Sequence, residues 1–233
     1  MSKPIHPTTV QLPVGVERAA REAAAGTKTD FKALLASSLS ESRHNPQAHN
    51  KRSSASGAFQ FTERTWLDLV RRYGGALGQG AAASKITVTN GKPNVADPAD
   101  RTAILALRSD STFAGSLAAR YSDENRTALS KNLGRKVNEN EVRMAYLLGA
   151  TGAGRLLRAA KDHPGLAVDK IVPAAVRSNP TLFRQPNGNV KTAGEAVASL
   201  ERHFDGEMNR VKSAVTRLSA AEPPLVPVDD DIA

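Results

Sequence analysis

Only one stretch of this chain alternates as a strand must. Lys85–Thr89 interleaves β-branched residues with others and runs into Asn90-Gly91, a pair suited to a two-residue hairpin turn. Elsewhere the apolar residues recur at helical spacing between recognisable start and stop signals. Asp30 can cap a helix over Phe31–Ser42, with Phe31, Leu34, Leu35, Ser38 and Leu39 on one face. Thr62 opens another helix, and Phe61 before it has the spacing of a hydrophobic staple to Trp66. Further helices are expected over 14–25, where Gly26 ends the run, and over 98–108, 111–121, 123–132, 139–148, 152–161 and 173–178. Asn138 with Glu141 and Thr192 with Glu195 form capping boxes; the second opens a helix to about Leu218, and Gly149 closes the 139–148 segment. Residues 45–57 read as a polar loop, and the glycines at 74, 75, 78 and 80 as a loose connector. The expected fold class is mainly α: a helical domain with one small inserted β-hairpin.

Length and composition set the frame around that domain. With 233 residues and no cysteine, the chain must fold on its apolar core alone, which a domain near this size can do. Residues 1–13 carry three prolines and no period, so a disordered arm is expected there. The domain spans 14–220, and 221–233 is an acidic, Pro-rich tail expected to be disordered. The 32 Lys and Arg against 23 Asp and Glu leave a net charge of +9, which favours polyanions. The basic residues are scattered, and with six Phe, three Tyr and one Trp there is little to stack on bases. An acidic bacterial wall therefore suits the charge better than nucleic acid does. The opening residues have no signal-peptide core, and no span is long and apolar enough for a membrane. The expectation is a cytosolically made monomer without membrane insertion, delivered to its site of action by a separate export or lysis route. Of five histidines, only His44 and His49 approach a ligand spacing, and both read as solvent-exposed flanks of the polar loop. No metal site is expected.

Glu41 is the residue with chemical promise. It follows Leu34 by seven positions, which on a helix is a displacement of only about 20°. It should therefore face the apolar stripe and be partly buried. It also lies in the last helical turn, where the dipole disfavours negative charge. Both effects raise a carboxyl pKa, and a carboxylic acid kept protonated near neutrality is what glycosidic cleavage requires. Helix geometry alone leaves open a surface glutamate paired with Arg43.

The surrounding residues add a resemblance. Glu41-Ser42, Asn45-Pro46, the run Ser53-Ser54-Ala55-Ser56-Gly57-Ala58-Phe59-Gln60-Phe61 and Thr65-Trp66 together resemble the active-site motif of the lytic transglycosylases of the lysozyme superfamily. The match is closest to the transglycosylase domain of giant-phage endolysins and related bacterial proteins. Ala145-Tyr146-Leu147-Leu148-Gly149 is similar to the family's later motif, and Leu107-Arg108-Ser109-Asp110 and Asn179-Pro180-Thr181-Leu182-Phe183 resemble the endolysin branch. The similarity spans roughly residues 14–205 and implies a lysozyme-like fold. It implies Glu41 as catalytic acid/base, Ser53 as a serine that bonds substrate or steadies the acid, and Gln60 as part of the saccharide cleft. Tyr146 matches a tyrosine near the carboxyl, and Tyr73 one that stacks on a sugar. Two departures stand out. Arg143 occupies a position where the endolysin branch has tyrosine, and 85–98 is an insertion expected at the cleft edge.

Other roles stay open for these residues. Ser53 and Ser54 can be turn formers, Gln60 can satisfy loop backbone, Trp66 reads as core because of its staple, and Tyr146 can be a buried helix residue. No second acid holds a compelling position, and Glu63 reads as a first-turn dipole partner. The family's chemistry needs one carboxyl only. It cuts the bond between N-acetylmuramic acid and N-acetylglucosamine in peptidoglycan glycan strands, leaving a 1,6-anhydromuramyl end without metal or cofactor. A hydrolytic muramidase, a non-catalytic wall-binding module and a basic nucleic-acid-binding protein are the competing readings.

Overall fold

The computed structural model describes Leu12, residues 15–51 and residues 53–221. The expected arm over 1–13, Leu12 aside, and the tail beyond 221 lie outside the described residues. The expected start of the first helix at Val14 lies outside them as well.

Among the described residues, ten α-helices and one hairpin follow in the order α1 (Val16–Ala24), α2 (Phe31–Ser42), α3 (Glu63–Tyr73), α4 (Gly80–Ser84), β1 (Thr87–Thr89), β2 (Lys92–Asn94), α5 (Pro98–Ala106), α6 (Ser111–Leu133), α7 (Glu139–Asp162), α8 (Pro173–Ser178), α9 (Pro180–Phe183) and α10 (Ala193–Ala221). The class is mainly α, as the spacing of apolar residues implies. β1 and β2 pair antiparallel, Val88 opposite Pro93, around the Asn90-Gly91 turn, where both residues adopt positive φ.

The local chemistry explains the helix ends. Asp30 accepts from Lys32 N at 2.7 Å, and Thr62 accepts from Thr65 N. Asn138 and Glu141 close a reciprocal capping box, as do Thr192 and Glu195. The staple forms too: the Phe61 and Trp66 rings lie 5.8 Å apart. Two expectations need correction. Residues 111–121 and 123–132 are one helix, because Ser122 is buried within α6 and nothing between the segments breaks the backbone hydrogen-bond ladder. The glycine-rich connector is a 3-10 turn over Gly75–Leu77 followed by α4 rather than loose chain. Gly149 does break α7 as expected: at φ 70° and ψ 155° it separates two helical halves that abut without a loop.

Among the described residues, three apolar clusters fill the interior. One joins α3, the loop before it and the first half of α6 around Trp66, which is fully buried and donates Nε1 to Ile104 O at 2.8 Å. A second packs α7 against α8, α9 and α10 around Met144, Leu156, Phe183 and Leu200. The third sets α1 and α2 against the far half of α10 through Leu35, Ala36, Val211 and Ala214. The end of α2 is thereby held where α7 and α10 converge with the 45–61 loop.

Candidate active site

That convergence opens a cleft of about 860 Å³. Its floor is the end of α2. One wall is the 50–65 segment, another is the Tyr146–Gly149 stretch of α7 with Tyr121 of α6, and Arg177, Ser178 and Asn179 close a rim. Glu41 is the one acid among the described residues that line it; Lys51 and Arg177, both exposed, are the two fully basic ones.

A sharp backbone turn aims Glu41 into this space. Arg43 and His44 both take left-handed φ, 57° and 64°, so the chain reverses directly after α2. Ser42 ties the reversal down by donating to Ala58 O at 2.9 Å and accepting from Asn45 N at 3.0 Å. The Glu41 side chain is exposed rather than half-buried against the Leu34 stripe, because the helix end points it outward at the cleft floor. Protein nonetheless surrounds it on the other sides, and this desolvation pushes its pKa up from 4.5 to about 7; Arg143 pulls the value down and Glu207 pushes it up. A carboxyl that titrates there is present in both protonation states near neutral pH, as an acid/base catalyst must be.

The loop that carries the serines is folded tightly for its length. Short bridges pair His49 with Ser56 and Ser56 with Phe61. Arg108 clamps the loop from outside, donating Nη1 to Ser54 O at 2.6 Å and to Phe61 O at 3.2 Å. Gly57 lies against the backbone of the same residue: a Cβ there would meet Arg108 O at 2.2 Å, and its φ is +81°. Only glycine fits this approach.

Four of the five anticipated residues meet at the cleft: Glu41, Ser53, Gln60 and Tyr146. Ser53 is exposed on the wall and also accepts from Ala55 N at 3.3 Å, so it forms the turn and faces the cleft at once. Gln60 donates Nε2 to Ala48 O and Gly57 O, at 3.2 and 2.9 Å, which occupies its amide nitrogen in satisfying loop backbone. Tyr146 donates its hydroxyl to Phe59 O at 3.3 Å. Desolvation, reinforced by the Glu41 charge, raises its pKa well above 10, so it is a neutral donor at the wall.

Tyr73 does not join them. It lies at the end of α3, packed against the Trp66 core; its hydroxyl donates to Glu124, and Arg72 and Arg120 lie over its ring. Its distance from the cleft follows from α3 running away from the 50–65 wall. The tyrosine that lines the cleft beside Tyr146 is Tyr121, whose ring meets that of Tyr146 edge-on at 5.1 Å. Tyr121 continues the Phe113, Leu117 stripe of α6 at four-residue spacing, and a hydroxyl at the end of an apolar stripe was the available signal.

His44 is also not where the sequence suggests. It is buried, 6% exposed, because the left-handed turn folds its ring back onto Ser38, 3.2 Å from Oγ. His49 is exposed as expected, its Nδ1 3.1 Å from Ser56 Oγ. Glu63 pairs with Arg101, and Asp68 with Arg71 and Arg72, so neither is a cleft acid. The insertion at 85–98 packs Ile86 and Val95 into the core beside α3, and none of its residues is among those lining the cleft. Compared with models of known protein families, the chain matches none.

Proposed function

We propose that this chain is a peptidoglycan lytic transglycosylase of lysozyme-like fold, with Glu41 as the single acid/base. The observation that carries the reading is the one cleft carboxyl among the described residues, with a pKa pushed up to about 7, at the end of α2 where the transglycosylase-like motif begins. Protonated Glu41 donates to the oxygen joining muramyl C1 to the next sugar, and that C–O bond breaks. The resulting carboxylate takes the proton of the muramyl C6 hydroxyl as its oxygen bonds to C1. A 1,6-anhydro ring forms, the acid is regenerated and no water enters. A second carboxylate, which two-carboxylate glycosidases need as nucleophile or base, has no place in this scheme.

The remaining wall residues suit a sugar chain. Tyr121 and Tyr146 supply ring faces and edges, while Ser53 and Asn179 supply polar groups. Lys51 and Arg177 bring positive charge to a substrate whose peptides and lactyl groups carry carboxylates. Mass spectrometry of the fragments released from purified sacculi tests the reading. Anhydromuramyl ends, one water lighter than reducing ends, support it. Reducing ends alone make the protein a muramidase, and no release from bound sacculi makes it a binding module.

A further inference from the structure

Glu41 also lines a second cavity, of about 40 Å³, together with Ser40, Arg143, Tyr146, His203 and Phe204. Arg143 is the cation of this region and is 7% exposed. Three hydrogen bonds hold its guanidinium. Nη1 donates to Phe204 O at 3.2 Å, and Nη2 donates to Ala36 O at 3.2 Å and to Glu207 Oε2 at 3.0 Å. The group also lies 4.3 Å from the centre of the Phe204 ring. Glu207, 5% exposed, sits in the apolar stripe of α10 between Phe204 and Val211. Its other oxygen faces His203 Nε2 and Arg210 Nη2, each at 3.7 Å.

Burying two charges between three helices is a poor way to hold helices together, since desolvation consumes most of what the ion pair gains. A well-packed apolar pair would serve α2, α7 and α10 at least as well. The arrangement makes sense when Glu41 is included. A lone buried guanidinium beside that carboxyl would be its counter-ion and would hold it ionised near neutral pH. We infer that Glu207 is a positioning residue for the acid: its carboxylate occupies the Arg143 guanidinium, so that the cation behind Glu41 does not become the counter-ion of Glu41. The inference rests on the reading of Glu41 as a proton donor. The pair then presents little net charge to Glu41, and protein crowding dominates its titration.

The groups that face this arrangement come from four elements. α7 supplies Arg143 and Tyr146, and α6 supplies Tyr121. α10 supplies His203, Asp205, Glu207 and Arg210, and His44 follows α2. Asp205, which accepts from Asn140 at 2.9 Å on the outer side, and Glu41 itself both favour the charged form of Arg143, although burial lowers its pKa overall. Glu207 favours the charged form of His44, which burial otherwise keeps neutral. Tyr146 is a neutral donor. The two charges acting on Glu41 itself are Arg143, pulling down, and Glu207, pushing up.

Single and paired charge removals separate this role from a merely structural tie, because they predict opposite signs. The carboxyl carbon resonance of Glu41, assigned by its loss in Glu41→Gln, is titrated in the full chain and in three variants. Glu207→Gln should lower the midpoint by about one pH unit or more, and Arg143→Met should raise it by a similar amount. Arg143→Met combined with Glu207→Gln should leave it within about half a pH unit of the parent. The alkaline limb of sacculus digestion should move in the same directions. An unmoved midpoint in folded Glu207→Gln, or two single variants shifted the same way, overturns the inference. Should Glu207→Gln fail to fold, the charge-free pair decides: a fall of more than about one pH unit overturns it, and an unchanged midpoint supports it. Since the titration needs no substrate, a parent protein that cuts no sacculi would refute the transglycosylase reading while the carboxyl shifts still test the Glu207 role.

Discussion

Replacing Glu41 by glutamine should make the protein inactive and, above neutral pH, more stable. Each pH unit by which folding displaces a pKa corresponds to about 1.36 kcal/mol. A rise from 4.5 to about 7 therefore sets a ceiling of roughly 3.4 kcal/mol on what the ionised carboxyl costs the fold. Glu41 opens onto solvent in the cleft, and screening on that side brings the expected figure to about 1–2 kcal/mol. The sign follows from proton counting. Between pH 4.5 and 7 the native state holds the Glu41 proton more tightly than the unfolded chain does, so its stability falls as pH rises through that window. Glutamine has no proton to lose and is free of this decline. Chemical denaturation of both proteins at pH 4 and pH 8 measures it. The two should be nearly equal at pH 4, and the variant should lead by about 1–2 kcal/mol at pH 8. Sacculus digestion by the same variant should fall at least about 10²-fold, the lower bound for lost general acid catalysis. A stability difference that is flat between the two pH values, or a parent that is the more stable at pH 8, would refute the argument that Glu41 is held protonated.

Other positions give independent checks. Gly57→Ala should destabilise by about 2 kcal/mol or more and abolish digestion, since the new Cβ meets the Arg108 backbone and the positive φ is strained; thermal unfolding and digestion read this together. Tyr73→Phe should keep digestion kinetics within about twofold of the parent while losing about 1 kcal/mol in denaturation, because its hydroxyl serves Glu124 and not the cleft. Lys51→Ala and Arg177→Ala should raise KM on peptide-bearing glycan with kcat little changed, and should weaken the salt dependence of sacculus binding. Equal effects on chitin oligomers, which lack carboxylates, would contradict that assignment.

The sequence was most legible where one residue's chemistry decides the outcome locally. Asp30, Thr62, Asn138 and Thr192 cap helices because short polar side chains satisfy free backbone N–H groups wherever they precede an apolar periodic run. Asn90-Gly91 forms its turn for an equally local reason. The placement of Glu41 in a cleft was readable from its position at a helix end and its motif, but its degree of exposure was not. That depends on the reversal at Arg43 and His44, which both take positive φ with no glycine to mark the turn. That Tyr73 is not among the residues lining the cleft was not legible, because a helix fixes the spacing of its side chains but not the direction in which the whole helix runs. Arg143 and Glu207 were missed as a pair although each lies in a buried stripe of its own helix. Their meeting requires α7 and α10 to be packed, and nothing along the chain announces which distant charge a buried arginine will find.

The supply of the rear wall by α10 has a consequence in time. Ser40, one residue before the acid, meets His203 across 163 positions of chain. At roughly 5–20 residues per second, α2 waits some 8–30 seconds during synthesis before that partner is made. For that interval Leu35 and Ala36 lack the Val211–Val215 surface that later covers them, and Arg143, once made, lacks Glu207. The nascent chain thus carries its motif early and the surroundings of Glu41 late. A ribosome-bound chain halted before residue 200 should leave glycan uncut, and its exposed α2 face is where a chaperone would find it.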